Sequence, residues 1–111
     1  MEEKTREVVL SEIAKIDLFD IYNYGLITFG ESFTEIFLKN IYKDIYELPL
    51  LFLIHPECRH LVTKKQIYRN IIIGRYLIVY RIKSTKIEVL RAIHGSKKTE
   101  TFKAIKKIKP K

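Results

Sequence analysis

The sequence predicts an α+β domain in which an antiparallel pair of helices packs on an antiparallel sheet. Three observations predict it. Ile67 to Gly95 reads as three consecutive strands rich in β-branched and aromatic residues, the composition that suits a pleated, half-buried surface. Two stretches of helical spacing precede it, joined only by Thr28–Gly30, so they must form a hairpin. The 111 residues are 47% apolar and 12% aromatic, enough for one domain to bury a core without disulfide or metal support.

In order, Arg6 to Leu10 is a short strand, and Ser11 is placed to cap the helix that follows. Glu12 then lies in the first turn, where the helix dipole favours negative charge. The stripe Ile13, Ile16, Phe19, Tyr22 or Asn23, and Leu26 predicts a helix with Asp17 and Asp20 outside, ended by Gly30. A second helix spans Glu31 to Leu48, its stripe Phe33, Ile36, Phe37, Ile41, Ile45 and Leu48. Pro49 cannot continue the ladder and closes it. Residues 49–66 are irregular, and strands at about 67–73, 75–83 and 86–94 follow. The domain core covers residues 6–95. Residues 96–111 form a tail of seven lysines and one glutamate, either a short basic helix on Phe102, Ile105 and Ile108 or a frayed end.

Net charge is +8, but its distribution says more. Residues 1–60 hold six Lys/Arg against eleven Asp/Glu, and residues 61–111 hold fifteen against two. That asymmetry predicts a nucleic-acid or acidic-protein partner for the second half, against the plainer reading of a solvated basic surface. One cysteine, Cys58, excludes an internal disulfide and suits a reducing compartment. The N-terminus lacks a signal-peptide layout, and no apolar run approaches a membrane span. The expected location is cytoplasmic, with no membrane partner.

The Lys83–Lys86 hairpin pairs Ile82 with Ile87, then Tyr80/Val89, Ile78/Arg91 and Tyr76/Ile93 on one face. The other face carries Arg81/Glu88, Val79/Leu90, Leu77/Ala92 and Arg75/His94. Arg91 on the core face is a conflict that a bulge or a place at the rim would ease. Arg69 falls with Ile78 if the next turn has two residues, or with Val79 if it has three. The second is preferred, because burying an unpartnered guanidinium is costly. The product is a two-layer domain with an open, basic sheet face.

The strand ending in Leu-Ser, the tyrosine-rich DIYNYGLITFGES, PECRHL, and the run Arg69 through Gly95 resemble the ParE/RelE toxin superfamily. The closing His-Gly pair is similar to the ParE branch in particular. The resemblance implies a βααβββ fold and a type II toxin of the plasmid-stabilisation kind. It also implies a cognate acidic antitoxin, held in a hetero-oligomer, whose C-terminal segment wraps the toxin. ParE-like toxins trap DNA gyrase by binding, with no chemistry of their own; RelE-like toxins cleave mRNA on the ribosome.

Cleavage through a 2′-hydroxyl needs a base, an acid and cations around the phosphorane. Glu57 as base, His94 as acid, and Arg69, Arg81 or Arg91 as clamps are the residue types available. After His94, however, come Gly95-Ser96-Lys97-Lys98, without the tyrosine that RelE-like enzymes tend to carry, so the gyrase-binding reading is preferred. A domain that binds only its antitoxin is a third reading. For binding target or antitoxin the candidates are Arg69, Arg75, Arg81, Arg91, His94, Lys97 and Lys98. His55, Cys58 and His60 crowd one loop without a second ligand cluster, so no metal is expected. The dispersed glycines predict no nucleotide cofactor. Tyr22, Tyr24, Tyr42, Tyr46, Tyr76 and Tyr80 are read as packing, and Tyr68 as the exposed one.

Overall fold

In the computed structural model, which describes residues 5–110, the elements follow in the expected order. They are β1 (Glu7–Leu10), α1 (Glu12–Phe29), α2 (Glu31–Tyr46), a short α3 (Leu48–Leu51), β2 (Tyr68–Ile73), β3 (Tyr76–Ile82), β4 (Lys86–His94), α4 (Thr99–Lys103) and a 3-10 turn (Ala104–Lys107). β2, β3 and β4 are antiparallel neighbours, while β1 lies parallel to β4, giving the order β1-β4-β3-β2.

Ser11 locks the first junction. Its hydroxyl accepts from the Ala14 amide at 2.9 Å and donates to the Leu90 carbonyl at 2.8 Å, so one side chain caps α1 and ties it to β4. Gly30, at φ 87°, ends α1 and begins α2, a backbone that a side chain would strain. Pro49 closes α2 and stands in the first turn of α3, where its missing N–H costs nothing.

The hairpin register begins as expected, with Ile82 opposite Ile87, Arg81 opposite Glu88 and Tyr80 opposite Val89. A bulge then intervenes, so that Val79 meets Arg91 and Tyr76 meets His94. The expected pairs Ile78/Arg91, Tyr76/Ile93 and Arg75/His94 are displaced accordingly. The extra residue frees Arg91 from the core, and its guanidinium grips Asp17 of α1 instead. The β2–β3 turn has two residues, Gly74 and Arg75, which sets Arg69 across from Tyr80 rather than Val79. Its guanidinium is not left unpartnered there, because loop carbonyls receive it.

The sheet is covered on both sides. On one, Ala14, Leu18 and Ile21 of α1 and Leu38, Ile41 and Ile45 of α2 pack on Ile78, Tyr80 and Val89. On the other, Phe102 and Ile105 lie over Val79, Leu90 and Ile93, with Cys58, Leu61 and Tyr68. The open basic sheet face is therefore absent, and the tail is a third layer. The physical reason stands in β3 and β4, where Val79, Leu90 and Ile93 make the second face as apolar as the first.

α1 is turned from its expected face and so is the first half of α2, whereas Ile41, Ile45 and Leu48 are buried as expected. Ala14, Leu18, Ile21 and Gly25 of α1 and Thr34, Leu38, Ile41 and Ile45 of α2 are the buried residues. Ile16, Phe19, Phe33 and Ile36 are more than half exposed, and Asp17 is drawn inward to Arg91. Tyr24, Tyr42 and Tyr46 are exposed and Tyr68 is buried, the reverse of expectation. No helix of the described residues is long and apolar enough to cross a membrane.

Candidate docking surfaces

Small residues bring α1 and α2 together. A Cβ on Gly25 would stand 2.7 Å from the Thr34 hydroxyl, so only glycine admits this approach. Large apolar side chains are consequently displaced to the outside of the hairpin, where Ile16, Phe19, Ile27, Phe29, Phe33 and Ile36 face solvent. Six rings run in sequence from this surface to the end of the sheet. Tyr24 meets Phe29 at 6.3 Å between centroids, Phe29 meets Phe33 at 5.2 Å, and Phe33 stacks on Phe37 at 6.1 Å. Phe37 then reaches Tyr76 at 6.1 Å, and Tyr76 meets the edge of His94 at 5.8 Å. Edge and offset contacts of this kind are favourable beyond the area they bury.

These rings wall a cleft of about 500 Å³ between the hairpin and the end of the sheet, with Ile21, Gly25, Thr34 and Arg75 completing its lining. Thr34 Oγ1 is buried beside it with no hydrogen-bond partner among the described residues. Burial raises the Tyr76 phenol above its ordinary pKa, with Tyr24 adding to the effect, so the hydroxyl stays neutral at physiological pH. At the mouth, His94 Nδ1 accepts from the Ser96 amide at 3.1 Å and lies 2.6 Å from its hydroxyl. An Nδ1 that accepts leaves the proton of the neutral ring on Nε2. The cleft can hold an apolar side chain, with a cation and an imidazole beside its entrance.

The sequence-derived candidates separate into three groups. Arg75 and His94 come together at the cleft. Lys97 and Lys98 follow in an exposed turn that leads to α4. The remaining residues are engaged within the fold. Arg69 donates to the carbonyls of Leu53, His55 and Gln66 at 2.9–3.3 Å and so pins the irregular loop to β2. Arg81 is buried against Glu88 at 2.7 Å, and also donates to the Tyr68 hydroxyl and the carbonyls of Lys106 and Ile108. Arg91 meets Asp17 through two parallel bonds, 2.8 and 3.0 Å. Glu57 accepts from the Thr63 amide at 3.1 Å, closing its own loop.

Glu57 bridges to Arg69, which faces Tyr80, whereas His94 faces Tyr76. Those positions are four residue steps apart along β3, roughly 13 Å at the strand rise. Glu57 and Arg69 are thus held toward the other end of β3 from His94, and Arg91, nearer to His94, is tied to Asp17. What the sequence reading missed is the aromatic hairpin surface, and a signal for it was present. Gly25, Ala14 and Thr34 mark the closely packed side, leaving the bulky residues to the other.

No curated protein matches the chain in sequence. Among solved structures it is similar to one described as the chromosomal ParDE TA system from P. aeruginosa, with a TM-score of 0.67 at 16% identity over 81% of this chain and 96% of that one. At that identity the likeness concerns the fold. The model of a family described as the ParE toxin of the type II toxin–antitoxin system parDE matches residues 8–99. With most of its length inside that match, the chain belongs to the ParE toxin family.

Proposed function

We propose that this protein acts as a toxin by binding DNA gyrase, performs no chemistry on RNA, and is neutralised by a cognate antitoxin that covers the hairpin surface. The observation that carries the reading is the exposed aromatic and aliphatic face of α1 and α2. Contiguous apolar surface of this kind marks a site that a partner covers. The antitoxin supplies an amphipathic segment whose apolar side chains enter the Phe29–Phe33–Phe37 cleft. Carboxylates of an acidic antitoxin meet Arg75 at its mouth, where the guanidinium is exposed. Gyrase as the target comes from the family. The separation of Glu57, Arg69 and Arg81 from His94 speaks against an mRNA interferase, which needs its base, acid and clamps around one phosphate.

Two parallel assays test this with purified protein. One follows supercoiling by gyrase together with trapping of cleaved DNA, and the other follows mRNA on programmed ribosomes. Gyrase inhibition with intact mRNA is expected. Cleaved mRNA with unaffected gyrase would overturn the proposal and make His94 and Arg75 the first residues to replace.

A further inference from the structure

The third layer bears a charge pattern unlike the rest of the molecule. Between Arg59 and Gln66 it holds Arg59, Lys64 and Lys65 with no acid, and the tail adds its lysines against Glu100 alone. Lys97, Lys98, Lys103, Lys106, Lys107 and Lys109 are exposed, and none forms an ion pair among the described residues. These lysines are not carried on a loose end. Phe102 and Ile105 are buried beneath them, His60 stacks on Phe102 at 4.1 Å between centroids, and Arg81 holds the carbonyls of Lys106 and Ile108. The backbone is thereby fixed with Lys103 and Lys107 a helical turn apart and outward.

We infer that this layer is a docking surface for the phosphate backbone of duplex DNA. The chemistry of its surroundings selects that partner. A single strand is gripped by stacking bases on exposed rings, but the rings here, Tyr68, Phe102 and His60, are turned inward. An anionic membrane takes an amphipathic helix by its apolar face, and that face of α4 is already spent on the core, leaving Val62 as the exposed large apolar side chain of the layer. What remains is a fixed array of ammonium groups with Glu100 as the one acid of the tail, suited to a regular, rigid row of phosphates. The acidic hairpin half lies across the sheet, so approach is steered to this side. Preference for DNA over an RNA duplex rests on the gyrase reading, since gyrase works on DNA; the duplex chemistry does not.

The test needs neither gyrase nor antitoxin, so its failure is distinct from failure of the gyrase assay. The full chain is titrated into a fluorescein-labelled 20-bp duplex from roughly 50 to 200 mM salt, the range over which phosphate contacts are read. Binding should weaken steeply, and K103Q/K106Q/K107Q should flatten the log–log slope by about 0.9 for each lysine that meets a phosphate. K103R/K106R/K107R should restore the slope, and K39Q/K43Q on α2 should leave it unchanged. If the triple glutamine variant does not fold, K97Q/K98Q is read in the same way. Absence of binding at the lowest salt, or equal sensitivity to the α2 variant, overturns the inference. So does tighter binding to single-stranded DNA, to an RNA duplex of the same sequence, or to phosphatidylserine vesicles.

Discussion

Arg81 and Glu88 face each other across β3 and β4, Nε to Oε1 at 2.7 Å, with side chains 9% and 5% exposed. The pair sits beneath the tail, and the same guanidinium reaches two tail carbonyls. A cross-strand pair that the expected hairpin register already contained thus joins the third layer to the sheet. Burial alone would lower the Arg81 pKa, but the bonds to Tyr68 and Glu88 and the Glu88 charge outweigh it, so the net direction is upward.

Breaking the pair from one side should be severe. Glu88→Ala leaves a buried guanidinium without its counter-charge, a change that typically costs about 3–5 kcal/mol. Urea unfolding gives the loss, and limited proteolysis near Lys103 to Lys107 gives its location. A small loss with an unchanged proteolysis pattern would show that the pair does not hold the tail.

The Gly25–Thr34 contact predicts a compensating pair of mutations. Gly25→Ala forces a methyl group to 2.7 Å from the Thr34 hydroxyl, and overpacking of this kind costs about 1–3 kcal/mol. Thr34→Ala makes room, so the double variant should recover most of that loss. Thr34→Val should stabilise by up to about 1–3 kcal/mol, because it removes a buried hydroxyl that has no partner among the described residues. Additive costs in the double-mutant cycle would reject the contact.

The hairpin surface predicts a loss of binding without loss of fold. Phe33 is 54% exposed yet central to the ring sequence. Phe33→Ala should therefore leave the unfolding free energy within about 0.5 kcal/mol of the parent, as for ordinary surface sites. Antitoxin affinity should fall at least roughly ten-fold, the behaviour of a central aromatic anchor. Calorimetry with the cognate antitoxin measures it. Unchanged affinity would place the antitoxin elsewhere.

Legibility in the sequence followed the strength of the local signal. Ser11 as cap, Gly30 as break and the three strand positions were readable because each rests on nearby residues. The hairpin register was right from Ile82/Ile87 to Tyr80/Val89, where turn geometry governs, and failed at the bulge, which no residue type announces. The helix faces were misjudged because α1 is apolar on several sides, and the largest side chains were assigned to the core. The core took Ala14 and Gly25 beside Leu18 and Ile21, while Ile16, Phe19, Phe33 and Ile36 stayed outside. His94 and Arg75 both line the cleft, although the bulge moves His94 from its expected place opposite Arg75 to one opposite Tyr76. Arg69, Arg81 and Arg91 could not be separated from them, since an arginine that binds carbonyls or a buried acid looks in sequence like one that meets a partner.

Tyr80 predicts the alkaline limit of the fold. Its ring is fully buried and its hydroxyl donates to the Phe52 carbonyl at 2.6 Å. Burial holds its pKa well above the ordinary tyrosine value, and outweighs the opposing charge of Arg69. The unfolded chain would release that proton near pH 10, while the folded chain retains it. The native state thus binds more protons above that pH, and stability must fall as pH rises beyond it. Stability from this group should be complete below about pH 10 and decline through the higher folded pKa. Tyr80→Phe should lower stability at pH 8 by about 0.5–1.5 kcal/mol through the lost hydrogen bond. It should also shrink the further loss between pH 8 and 11, so that the two urea midpoints converge at high pH. Parallel curves across that range would mean that Tyr80 ionises in the folded protein as readily as in the unfolded chain.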